Sequence, residues 1–186
     1  MINNYKNSVN NFLNKYGNEI IYKMVVIRVP ISSVFNMIIR PFNKLYYEKY
    51  FHLSLIINDK YIIEKNEVIN FAYYKQVLIH NGKYYPPDYT KTQHYNINNN
   101  MVPNISIKQL LYNTKQYMGS SYFTYGGLYN NCQDFILSIL KSNNINDDNL
   151  NKWIKQDVIY IKRNWPTIKN IMDFTTNSAA IISNLI

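Results

Sequence analysis

In Tyr50-Phe51-His52-Leu53-Ser54-Leu55-Ile56-Ile57 every odd position is apolar, the period of two of a β-strand with one face in a core. His52 and Ser54 fall on the other face, with Tyr50 and Ile56. Asn58-Asp59-Lys60 reads as a turn, and Tyr61 to Lys65 as the next strand of a hairpin. An earlier strand, Lys23 to Val29, is closed by Pro30, and further strands are expected at Val68 to Tyr74 and Gln76 to His80, with a turn at Asn81-Gly82. Tyr84 to Pro103 contains Pro86-Pro87 and the run Asn98 to Asn100, which predicts a long surface loop.

The pattern then lengthens to helical spacing. Ser8 to Tyr16 predicts a short helix ended by Gly17, and Ser33 caps a second over Val34 to Arg40, stopped by Pro41. Ser106 caps a helix over Ile107 to Met118, ended by Gly119. Phe135, Ile136, Ile139 and Leu140 form the stripe of a helix over Cys132 to Ser142. Another starts near Asp147 and carries Leu150, Trp153, Ile154 and Val158. The last segment, Pro166 to Ile186, places Ile168, Ile171, Met172, Ala179 and Ile182 on one stripe. Strands cluster in the first half and helices in the second, an α+β order that predicts a small antiparallel sheet packed against helices. The expected organisation is an N-terminal helical extension (1–22), one domain (23–160), and a C-terminal amphipathic helix (161–186). That last helix either packs on the domain or acts as an anchor.

A chain of 186 residues, 47% hydrophobic and 16% aromatic, is long enough to bury one sizeable core. Nineteen tyrosines beside five glycines suggest an AT-rich coding sequence. The formal charge of +9 suits nucleic acid, anionic lipid or an acidic protein as partner. The lysines form no dense basic block, so no specific nucleic-acid motif is read from them. One cysteine forms no internal disulfide, makes no zinc pattern with three scattered histidines, and suits a reducing compartment. No cofactor, secretory signal or transmembrane segment is expected, since no apolar run approaches about 18–20 residues.

That cysteine lies in Asn131-Cys132-Gln133-Asp134-Phe135, where a polar loop turns into a helix. A thiol at a helix start meets unpaired amides and the positive end of the dipole, which favour the thiolate. The same stripe position also suits a small buried core residue, and both readings stand at this level. The base would be His52; His80 and His94 lie among turn and loop residues. His52 equally suits an imidazole satisfied by a neighbouring tyrosine. Glu64 is the third member if the hairpin loop has three residues, because Ser54 then pairs with Glu64 and Glu64 shares the face of His52. A two-residue loop moves Glu64 to the opposite face, and Asn66 becomes the substitute. Asn131 and Gln133 are the candidate oxyanion or substrate-binding groups.

A histidine on an early strand, a polar residue twelve positions on, and a late helix beginning Asn-Cys-Gln resemble the circularly permuted papain-like cysteine enzymes. These are the NlpC-type peptidases and the relatives of lecithin–retinol acyltransferase. Phe51-His52-Leu53, Glu64-Lys65-Asn66-Glu67-Val68-Ile69, Asn131 to Phe135 and Ile154-Lys155-Gln156-Asp157 are similar, in that order, to a subgroup recurrent in large DNA viruses. The resemblance covers roughly residues 23–160. It implies a permuted papain-like fold with Cys132 as nucleophile, His52 as base and Glu64 as orienting group. The implied chemistry is cleavage or transfer at an amide, ester or thioester through an acyl-thioester. A thiol peptidase or amidase acting on a protein or peptide-like substrate is the leading expectation. The others are a lipid thiol acyltransferase or phospholipase-like enzyme, and an inactive virion or membrane-associated component. Location is then host cytoplasm or the virion, with positive charge toward an anionic membrane or virion surface. The lipid acyltransferases carry a second histidine where Glu64 stands, so lipid specificity is not implied here.

Overall fold

The computed structural model describes residues 7–30, 51–65, 68–73, 93–126 and 130–155. Helix α1 (Asn7–Tyr16) leads into five strands: β1 (Met24–Pro30), β2 (Phe51–Ile57), β3 (Tyr61–Lys65), β4 (Ile69–Tyr73) and β5 (Gln93–Asn96). Helices α2 (Ile107–Met118), α3 (Cys132–Ser142) and α4 (Asp148–Ile154) follow, with single 3-10 turns at Asn99–Met101 and Gly119–Phe123. The strands form one antiparallel sheet in the order β4-β3-β2-β1-β5. The fold is α+β, as the order of sequence patterns predicts.

The β2–β3 turn fixes the register on which Glu64 depends. Asn58 and Asp59 both adopt positive φ (55° and 54°), a conformation Asn and Asp tolerate better than most side chains. The Lys60 amide donates back to the Ile57 carbonyl at 3.0 Å. Lys60 is the extra residue that sets Ile57 opposite Tyr61, and hence Ser54 opposite Glu64. The buried Asn58 side chain ties this turn to the start of β1, accepting from the Tyr22 and Lys23 amides at 2.9 and 3.2 Å. Its amide donates to the Ile20 carbonyl at 2.9 Å.

Met24, Val26, Leu53, Leu55, Ile57, Tyr61 and Ile63 face the main core, which the helices complete with Val9, Leu13, Leu110, Leu111, Phe135, Ile136, Ile139 and Leu150. The N-terminal helix belongs to this same core: Phe12 meets Tyr61 edge-on at 5.0 Å and stacks on Phe71 at 4.9 Å. Gly17 ends α1 where a Cβ would stand 2.3 Å from the Leu13 carbonyl oxygen, so only glycine fits that approach. Val25, Ile27, Ile56 and Ile62 form a second buried cluster on the opposite face, so the face of His52 is apolar at its centre and polar only toward one end.

Two sequence expectations are corrected. The helix expected to carry Val158 ends at Ile154, where Lys155 is extended. Within the loop expected at 84–103, Gln93–Asn96 is a strand on the sheet edge, pairing Val25 with Asn96 and Arg28 with Gln93. Gln-His-Tyr-Asn carries little apolar alternation because only Tyr95 packs on the core, beside Trp153, while its three neighbours are exposed; backbone bonds to β1 hold the strand at the edge. The helix expected at Val34 to Arg40, the strand at Gln76 to His80 and the helix over 166–186 lie outside the described residues.

Candidate active site

Cys132 is the first residue of α3, and the sequence stops the chain there for a specific reason. Asn131 is the N-cap, its Oδ1 accepting from the amides of Gln133 and Asp134 at 2.9 and 3.2 Å. Asp134 returns the bond, Oδ2 accepting from the Asn131 amide at 3.2 Å, which closes a capping box. The cap takes up the second and third amides of the helix. The Cys132 amide, at the first position, receives nothing from it, and such a first-turn donor is suited to an incoming anion.

His52 and Glu64 converge on that helix start from the sheet. Nε2 of His52 donates to Oε2 of Glu64 at 3.1 Å, and Oγ of Ser54 donates to the same oxygen at 3.3 Å. The two side chains retain 27% and 28% of their exposure, whereas Cys132 retains 6%. The Cys132 thiol lies close enough to the His52 ring to act on its charge. Burial on its own pulls the imidazole down. The nearby Cys132 group, followed by the Glu64 carboxylate, outweighs it and holds His52 well above its ordinary value of 6.5. Thiol, imidazole and carboxylate thus cluster where α3, β2 and β3 meet, the imidazole hydrogen-bonded to the carboxylate.

Supports stand on both sides. The Arg28 guanidinium lies between the Phe51 and Trp153 rings, 4.3 Å from each centroid, and donates to the Trp153 carbonyl at 2.7 Å. This fixes the first residue of β2, beside His52, against the end of α4. On the other side, Tyr122 is wholly buried next to Phe135, at 6.1 Å between ring centroids.

Of the sequence-derived site residues, Cys132, His52 and Glu64 come together. Asn131 acts as the helix cap, Gln133 lies half-buried in the first turn of α3, and Asn66 falls outside the described residues. His94 is exposed on β5, remote in the sheet order from β3. Lys65 escaped the sequence reading. The alternation of Tyr61, Ile63 and Lys65 was the available signal, since it places a charged residue on the core face of β3. Among the described residues, no group of three His, Cys, Asp or Glu side chains converges on a metal position. No helix among them is long and apolar enough to cross a membrane.

Comparison with protein-family models, curated proteins and solved structures returns no match. The functional reading therefore stands on the site's geometry.

Proposed function

We propose that this chain is a thiol hydrolase of the peptidase or amidase type, built on a permuted papain-like arrangement in which His52 and Glu64 precede Cys132. The observation that carries the reading is the cluster of Cys132, His52 and Glu64 at the start of a capped helix, with His52 hydrogen-bonded to Glu64. Glu64 engages Nε2, which leaves Nδ1 as the ring nitrogen that exchanges a proton with Sγ.

The reaction follows from these atoms. His52 takes the thiol proton, and Sγ attacks the carbonyl carbon of an amide. The Cys132 amide, with the Gln133 carboxamide beside it, stabilises the oxyanion; one such donor is typically worth about 3–4 kcal/mol. Collapse breaks the C–N bond as His52 protonates the departing amine. Water then attacks the thioester with His52 as base, releasing the acid and restoring the thiol. Glu64 keeps the imidazole oriented and its charged form favoured throughout. Asn131 serves the site through the cap, which holds Cys132 at the mouth of the helix.

The test is labelling by an electrophilic acyl probe directed at activated thiols, comparing wild type with Cys132→Ala and His52→Ala. Cys132→Ala is expected to abolish labelling, and His52→Ala to slow it by about 10²–10⁴-fold. Equal labelling of wild type and His52→Ala would sink the proposal.

A further inference from the structure

Among the described residues Lys65 is the one buried lysine, with 1% of its surface exposed. Its ammonium donates to the Ser121 carbonyl at 3.1 Å and to Oδ1 of Asn130 at 3.0 Å, and lies 5.6 Å from the Phe135 ring centroid. Asn130 immediately precedes the N-cap of α3 and holds φ at 60°. Its Nδ2 lies 2.6 Å from both the Ser121 and the Thr124 carbonyl oxygens. The lysine and Asn130 therefore form a closed polar network joining the end of β3, the 3-10 turn at Gly119–Phe123, and the last backbone bend before Cys132.

Fold stability does not account for this lysine. Its two direct partners are neutral oxygens, and among the described residues it forms no ion pair; Asp134 acts on it through its charge alone. Burial lowers its pKa from 10.5 to about 8, with Asp134 opposing. A buried ammonium with neutral partners is costly, and an apolar side chain of similar length is often neutral or stabilising in such a place. What an apolar side chain lacks is donors. Without them nothing from β3 fixes the left-handed Asn130, and the path into Asn131 and Cys132 is free to shift. An error of about 1 Å in such a site can lower a rate about a hundredfold.

We propose that Lys65 is a positioning residue that sets the Cys132 thiol against the His52 ring by holding Asn130. The inference rests on the thiol-hydrolase reading of the same site. Glu64 and Lys65 are neighbours on β3 and point to opposite faces, so one strand orients both halves of the pair. Glu64 aligns the imidazole, and Lys65 aligns the chain that carries the thiol.

The experiment compares wild type, Lys65→Met and His52→Ala through the pH profile of iodoacetamide alkylation, read by intact mass on the single cysteine. Urea midpoints and the hydrogen-exchange rates of the Gln133 and Asp134 amides, both held by the cap, are measured alongside. Lys65→Met is expected to keep or raise the urea midpoint while alkylation near neutral pH falls by at least about tenfold. Its profile should approach that of His52→Ala, in which the thiol has lost its imidazole partner. The two amides should exchange at least about tenfold faster than in wild type. A folded Lys65→Met with the wild-type alkylation profile and wild-type exchange overturns the proposal. If wild type and His52→Ala already share an ordinary thiol profile, the hydrolase reading fails on its own, and amide exchange alone then decides the role of Lys65. Should Lys65→Met not fold, Asn130→Gly keeps the left-handed backbone but removes the group that Lys65 grips. An unchanged alkylation profile in that variant also overturns the proposal.

Discussion

At the residue scale the decisive contact is the one between Nε2 of His52 and the Glu64 carboxylate, 3.1 Å apart. Glu64 is one of the two groups that lift His52 above its ordinary value; Cys132 is the other and the stronger. A histidine whose folded value is raised contributes stability that is complete below its unfolded value of about 6.5 and is lost as pH rises through the folded value. Glu64→Gln keeps the shape and removes the charge. The folded value should therefore fall, and the alkaline loss of stability should move to lower pH. The change is read by following the His52 ring signal by NMR against pH, beside alkylation rates at each pH. The inflections belong to the coupled Cys132–His52 pair, so both probes should shift together. An alkaline limb that stays in place would show that Glu64 is a bystander to the pair.

At the element scale the site depends on where α3 begins. The Asn131 cap satisfies two amides and reserves the Cys132 position. Asn131→Ala is expected to cost about 1 kcal/mol of stability, measured as a lower urea midpoint with unchanged slope. It should also slow probe labelling, because the first turn frays beneath Cys132. Much of this was legible in the sequence. Asn131 before an apolar stripe, Ser106 before another and Gly119 after it are local signals, and local signals survive folding unchanged. The three-residue Asn58-Asp59-Lys60 turn was readable too, and it fixed the face on which Glu64 stands. The edge strand β5 was not, because one half-buried tyrosine among exposed polar residues is too short a side-chain pattern to read. Lys65 was overlooked for the opposite reason. Its position was predicted correctly, but its partners, Ser121 and Asn130, lie more than fifty residues away and meet it only through the tertiary fold.

At the scale of the whole molecule, charge is the property that separates substrate classes. A formal charge of +9 over 186 residues, without a dense basic block, predicts diffuse attraction to any anionic surface rather than a shaped headgroup site. Lysines such as Lys108, Lys141 and Lys152 are exposed, and each contributes only while it lies within a Debye length of the surface. A charge near an anionic membrane is worth about 1 kcal/mol, so a few together give measurable binding that salt removes. Sedimentation with phosphatidylserine-containing vesicles should show binding at low salt that is largely lost above about 0.3 M, where the Debye length shrinks to roughly half its low-salt value. Cys132→Ala should bind equally well, because the attraction does not pass through the site. An acyl chain captured on Cys132 from those vesicles, seen as added mass absent from His52→Ala, would turn the reading from amide hydrolysis to lipid acyl transfer. The hydrolase proposal requires that no such adduct form, and that labelling instead be competed by peptide amides.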